Sequence, residues 1–225
     1  MPASATRSRR PQAARKGVYD RLREDILCCA LQPGSRVHEQ ALAERFHVSK
    51  SPIREALLRL QEQRLVEVLP RKGYRVLPIS VSDAAELYQM RLLFEPACVA
   101  GAIAGASDAQ LAQLDMFRRV PARRSLPAWI AYNRGFHNAI ARLCGNARLA
   151  RAAIEVIEQF DRLTYVGLHE ADSGGGLQDF VDEHGRIIDA MKRRDKRLAQ
   201  ALVRRHVESS RRRAHAAIAS PVIVP

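Results

Sequence analysis

No apolar run in this chain of 225 residues approaches the length needed to cross a bilayer, and it contains no signal-peptide core. Cysteine is scarce. Cys28, Cys29, Cys98 and Cys144 fit the spacing of neither a zinc finger nor a disulfide framework, so reduced thiols buried in helices are expected. The triplet Gly174-Gly175-Gly176 is not followed by Gly-Lys-Ser/Thr, so it reads as a flexible loop and not as a phosphate cradle. HExxH, the commonest zinc-hydrolase signature, is absent, and no internal repeat is evident.

What the chain has is positive charge, distributed unevenly. Residues 1–77 carry 16 Lys and Arg against 8 Asp and Glu, and the remainder carries 21 against 16, for a net +13. The excess is concentrated near the start, as neutralisation of a phosphate backbone requires. Residues 1–16 are rich in Arg, Ser and Ala and free of acid. They resemble a transit peptide superficially but are expected to be a disordered basic arm.

The stretch 17–77 predicts a winged helix-turn-helix. Val18, Leu22, Ile26 and Cys29 recur at helical spacing, and Pro33-Gly34 ends that element. Ala41, Leu42 and Phe46 are expected to face inward from the next helix, with Val48 plugging the turn. Ser49 or Ser51 can cap the helix that follows, and Pro52 sits harmlessly in its first turn. Ile53, Ala56, Leu57 and Leu60 form its inner face. Ser49, Lys50, Ser51 and Arg54 are left on the outer, N-terminal side, where a recognition helix reads base edges. Two β-prone runs, 65–69 and 74–77, flank Pro70-Arg71-Lys72-Gly73 as a basic wing. The DNA-facing set is therefore Arg36, Ser49, Lys50, Ser51, Arg54, Arg71, Lys72 and Gly73.

Residues Pro33-Gly34, Glu39, Leu42-Ala43, Val48-Ser49, Pro52-Ile53-Arg54-Glu55-Ala56-Leu57, Arg59-Leu60, Leu65-Val66 and Arg71-Lys72-Gly73 resemble the DNA-binding domain of the GntR family of bacterial transcription regulators. Arg64 departs from the pattern, since the family commonly places a glycine there. An arginine in a left-handed cap costs on the order of 1 kcal/mol, so a differently shaped helix end is expected.

After a linker at 78–81 the strand signals vanish. Six helices are predicted, near 82–104, 107–119, 126–144, 147–169, 177–193 and 195–217, with 218–225 as a tail. The fold class is mainly α: a winged domain followed by an all-helical bundle able to enclose a pocket. Asn133 and His137 share one helical face, and His184 and His206 lie on two other helices. Spacing alone brings the three histidines together only if the bundle does.

The runs Arg91-Leu92-Leu93-Phe94-Glu95-Pro96, Phe136 to Ile140, Gly145 to Leu149, Glu183 to Ala190 and Arg205-His206 resemble the FCD effector domain of the FadR subfamily, with a helix count like the shorter, VanR-like branch. That resemblance implies a divalent metal held by an aspartate and three histidines. His137, His184 and His206 match the histidines, and Asn133 stands where the aspartate is expected. Three imidazoles suit zinc, nickel or a similar borderline metal. Arg91 can pair with Glu95 on the helix surface; the resemblance instead points it into the cavity, to grip an effector carboxylate.

The function expected is a ligand-responsive, cytoplasmic bacterial regulator. A homodimer would bind a palindromic operator in double-stranded DNA, most simply as a repressor of a catabolic or transport operon released by a small organic acid. Two alternatives stand beside it. Three histidines with an open position could activate water in a metal-dependent enzyme, although the only nearby candidate for a general base, Glu183, adjoins His184, and adjacent helical residues point in different directions. An architectural DNA-binding protein would bind without sequence preference and without response to any acid.

Overall fold

In the computed structural model, residues 17–78, 80–121, 125–165 and 176–218 are described, the side chains of 81, 176–177 and 214–218 excepted. The predicted basic arm, residues 166–169, Gly174-Gly175, Ile79 of the linker and the tail beyond Ile218 lie outside them. The chain forms two compact units. One takes residues up to Ile26 together with Ser35–Leu77; the other takes Leu27–Gly34 and everything from Pro78 onward.

The first unit contains α1 (Val18–Leu27) up to Ile26, β1 (Arg36–Val37), α2 (Glu39–Phe46), α3 (Lys50–Glu62), β2 (Val66–Leu69) and β3 (Gly73–Val76). Its core is the apolar stripe read from the sequence: Leu22 and Ile26 of α1, and Ile53, Ala56, Leu57 and Leu60 of α3, all buried. Two expectations fail. On α2 Ala43 is buried and Ala41 exposed, and Val48 is 36 % exposed instead of plugging the turn. The backbone explains Val48. His47 adopts a left-handed conformation (φ 55°), so Val48 N–H bonds back to Ala43 O and the side chain turns outward. The sheet also has a strand the sequence did not announce. Two-residue β1 pairs antiparallel with β3, Arg36 opposite Arg75 and Val37 opposite Tyr74, giving the order β1-β3-β2.

The end of α3 corrects the expectation for Arg64. The residue takes φ 55°, Leu65 N–H bonds to Leu60 O and Arg64 N–H to Gln61 O. That is the Schellman termination a glycine would give, held here by arginine at a strain cost.

The second unit contains α4 (Val81–Gly105), α5 (Asp108–Ala112), a 3-10 segment (Gln113–Arg118), α6 (Leu126–Leu143), α7 (Ala147–Gln159), α8 (Gly176–Lys192) and α9 (Lys196–Ile218). The helix predicted over 147–169 breaks at Phe160, after which 161–165 are helical again. The one predicted over 107–119 is short α-helix running into 3-10. Phe136, Ile140, Ile187, Ile188, Met191 and Val203 lie in the main core.

Pro96 stands inside α4 without breaking it. Its missing N–H leaves Leu92 O without an intrahelical donor, and Arg204 Nη1 of α9 supplies one at 3.1 Å. Gly101 lets α4 cross α6 closely, since a Cβ there would stand 2.3 Å from Cys144 O. The four cysteines are free. Burial pushes the Cys98 thiol up to about 12, which makes it inert.

Candidate functional site

The N-terminal half of α3 carries the candidate DNA-reading residues. Ser49 is its N-cap, with extended backbone and no side-chain capping bond, and Lys50, Ser51 and Arg54 are exposed. Arg71 and Lys72 are exposed at the hairpin tip, and Arg36 on β1. Gly73 has a structural reason of its own: φ is 87°, and a Cβ would meet Val37 O at 2.8 Å. Arg54 is not a free cation. Its Nε and Nη2 donate to the two carboxylate oxygens of Glu39 at 2.9 and 2.7 Å. Arg59 is turned away from this set, its guanidinium 3.7 Å above the Tyr19 ring.

In the second unit the bundle does bring three helices' histidines together. His137 of α6, His184 of α8 and His206 of α9 are buried, and one ligand atom from each lies within 4.8 Å of the others. Each ring is oriented from behind through Nδ1. Tyr132 Oη donates to Phe117 O at 2.6 Å, so toward His184 Nδ1, 3.2 Å away, it accepts. His184 therefore carries its proton on Nδ1, and its Nε2 is a buried lone pair with no hydrogen-bond partner. His206 Nδ1 lies 2.6 Å from Glu183 Oε2. His137 Nδ1 lies 2.8 Å from Glu95 Oε2, an ion-pair distance although the N–H direction falls outside hydrogen-bond geometry.

Arg91 settles the tautomer of His137. A guanidinium only donates, so its Nη2, 3.2 Å from His137 Nε2, requires a lone pair there. Facing it, His206 Nε2 stands 3.3 Å from His137 Nε2. With His206 Nδ1 on Glu183, a neutral His206 would set two lone pairs face to face, which a shared cation would reconcile, whereas a protonated one would donate Nε2–H to His137. The spacing of this pair suits a shared metal, because tetrahedral metal–nitrogen bonds of about 2.0–2.1 Å place neighbouring nitrogens about 3.3–3.4 Å apart, while the three ligand atoms together lie within 4.8 Å. The three histidines can hold a divalent metal, and carboxylate or hydroxyl groups behind the imidazoles are what such ligands use for orientation.

Burial keeps His137 and His184 in the neutral, ligating form. Burial lowers His137 to about 4, with Arg91 and His206 adding to the effect against Glu95. Burial, then His206 and His137, holds His184 well below its ordinary value. Burial alone would raise the Glu95 carboxyl, but Arg91 and His137 outweigh it and hold it far below the carboxylate range.

Arg91 is not on the helix surface, where the sequence allowed its pair with Glu95. It makes the i,i+4 pair with Glu95 (Nε to Oε1, 2.5 Å), yet that pair is buried, stacked over Phe160, and touches the histidine cluster. Asn133 is half-buried one turn before His137. Sequence reasoning missed Tyr132 and Glu95 as supports and set Glu183 aside because it adjoins His184. It supports His206, from across the helix interface.

A model of the FCD domain matches residues 86–209, and one of the gntR family of bacterial regulatory proteins matches residues 14–76. The chain is 30 % identical over 208 residues to an uncharacterized HTH-type transcriptional regulator in an unstable DNA locus of Streptomyces ambofaciens, covering 87 % of this chain and 82 % of that one. The chain belongs to the GntR family. It is 29 % identical to the HTH-type transcriptional repressor GlaR of Escherichia coli K12, over 84 % of this chain and 90 % of GlaR. Its fold resembles that of E. coli McbR/YncC, with a TM-score of 0.78 at 23 % identity over 88 % of this chain and 95 % of that one. A transcriptional regulator of the GntR type from Rhodococcus sp. RHA1 superposes with a TM-score of 0.75 at 25 % identity, over 89 % and 96 %.

This GntR protein is accordingly a ligand-responsive, DNA-binding transcription regulator and not an enzyme. Its first unit is the DNA-binding winged domain and its second the FCD domain, whose three-histidine group can hold a metal.

Proposed function

We propose that the protein represses a catabolic or transport operon as a cytoplasmic homodimer on a palindromic operator, and that a small carboxylate bound beside a metal releases it. The observation that carries this reading is the convergence of three buried imidazoles, the Nε2 of His184 without a partner and the buried Arg91 against His137. His137, His184 and His206 would hold zinc or nickel, with Asn133 as a weak neutral ligand or a hydrogen-bond partner beside it. The metal supplies positive charge and an open position for an anion. With a metal bound, the His137 Nε2 lone pair would pass from Arg91 to the ion, and Arg91 would keep its bond to Glu95 and turn its other N–H groups to a carboxylate. A dication beside a guanidinium in a buried site calls for an anion, and the neutral Asn133 leaves that demand larger than an aspartate would.

On the DNA side, Lys50, Ser51 and Arg54, with Ser49, would face base edges from α3. Arg36, Arg71 and Lys72 would face phosphate or the minor groove, with Gly73 shaping the wing. The homodimer reading is supported by α4, which exposes Met90 (37 %), Leu93 (66 %) and Ala97 along one side.

Calorimetry on metal-stripped and zinc-reconstituted protein tests the site, with a panel of small mono- and dicarboxylates as probes. Zinc should bind at one site per chain, and an acid should bind more tightly after it. Equal acid affinity without metal, or no zinc uptake, would refute the reading.

A further inference from the structure

Arg54 and Glu39 form a bidentate pair at the surface of the winged domain. Exposed pairs of this kind add little to stability, so its geometry calls for another explanation. Glu39 is the first residue of α2 and only 20 % exposed at its side chain, whereas the Arg54 side chain is 61 % exposed. Tyr74, buried on β3, brings its hydroxyl to 3.5 Å from Glu39 Oε1. The carboxylate is therefore set by three elements, α2, α3 and β3, and it grips the arginine from beneath.

The atoms used matter. Glu39 takes the side edge of the guanidinium, Nε and Nη2. Of the five N–H donors of arginine, three remain, one on Nη2 and two on Nη1. Those make a complete end-on fork, the shape that pairs with O6 and N7 of guanine.

We infer that Glu39 is the positioning residue for base reading: it holds Arg54 with its end fork directed outward and cancels its charge. This rests on the reading of Arg54 as a base-contacting residue. Two consequences follow. A fixed fork loses less side-chain freedom on meeting guanine than a mobile one. A neutralised fork gains little from phosphates of any sequence, so its binding energy is realised mainly at the right base. Glu39 thereby raises discrimination at the expense of general affinity, the opposite of what an added surface cation would do.

The test uses the full-length protein and a duplex enriched by the wild type from a random library, beside a shuffled duplex of the same composition, at one salt concentration. Glu39→Gln and Glu39→Ala should lower the ratio of selected to shuffled affinity by about tenfold or more, within the range of one bidentate base contact, while shuffled affinity holds or rises. In an Arg54→Ala background, Glu39→Ala should cost no further selectivity. Thermal melts confirm that each variant is folded, and Glu39→Gln preserves side-chain size should Glu39→Ala be unstable. Unchanged selectivity in both variants, or an equal loss in the Arg54→Ala background, would overturn the inference. A library from which the wild type enriches nothing would overturn sequence-specific recognition itself, and this inference with it.

Discussion

His137 and His184 are held neutral by burial, and that has a consequence for acid stability. A histidine whose folded pKa is depressed takes up protons in the unfolded chain first. Between the ordinary value near 6.5 and about 4 for His137, the unfolded state therefore binds more protons, and stability falls as pH drops through that window. The metal-stripped protein should show a flat melting temperature above pH 7 and a progressive loss from about pH 6.5 downward. A melting temperature unchanged between pH 7 and pH 5 would contradict the buried neutral pair. Asn133 offers a second single-residue test. In the proposed site Asn133→Asp would add an anionic ligand beside three imidazoles, so zinc should resist a competing chelator better. Zinc at 100 times its dissociation constant stabilises a folded protein by about 2.7 kcal/mol, and the variant should reach that stabilisation at lower zinc. Identical chelator competition in the two proteins would place position 133 outside the site. At this scale the three histidines were legible because they match a family pattern. Tyr132 and Glu95 were not, because their role comes from a phenol and a carboxylate lying behind rings on other helices or a turn away.

Helices were read well where apolar periodicity was long, as in α4, α6, α8 and α9, whose ends fall within a residue or two of expectation. Two kinds of element escaped. Strand β1 is two residues long, too short for any alternation to register, and exists because β3 offers it an edge. The break at Phe160 and the 3-10 run after α5 contain no glycine or proline to announce them. Helix ends are a subtler case. Glycine normally supplies the left-handed residue after a helix, yet His47, Arg64 and Arg194 take it here at φ 55°, 55° and 57°. The Arg64 turn keeps its backbone bonds, so the substitution costs strain and not geometry. Arg64→Gly should relieve that strain and stabilise the winged domain by about 1 kcal/mol, read by urea denaturation. A loss of stability would mean that the arginine side chain contributes more than its backbone costs.

For the whole molecule, the charge excess near the start, the helix order and the two family patterns together were enough to assign a winged domain and an FCD domain. What a single chain does not encode in its own periodicity is how copies associate, because an interface helix looks overfilled with apolar residues. That is the signature of α4. It has buried apolar residues on the core side, among them Val99, Ala102 and Ile103, and still exposes Met90, Leu93 and Ala97. A helix apolar on more than one face is normally covered on more than one face. A second copy related by a two-fold axis would cover this seam and present two recognition helices to the two halves of a palindrome. Leu93 is 66 % exposed, so Leu93→Asp should leave the fold intact while burying a charge in any interface that includes it. The wild type should scatter light as a dimer at micromolar concentration, and Leu93→Asp should shift it toward monomer and weaken binding to a palindromic duplex far more than to a single half-site. A variant that remains fully dimeric would remove α4 from the interface, and a monomeric wild type with unimpaired palindrome binding would remove the dimer.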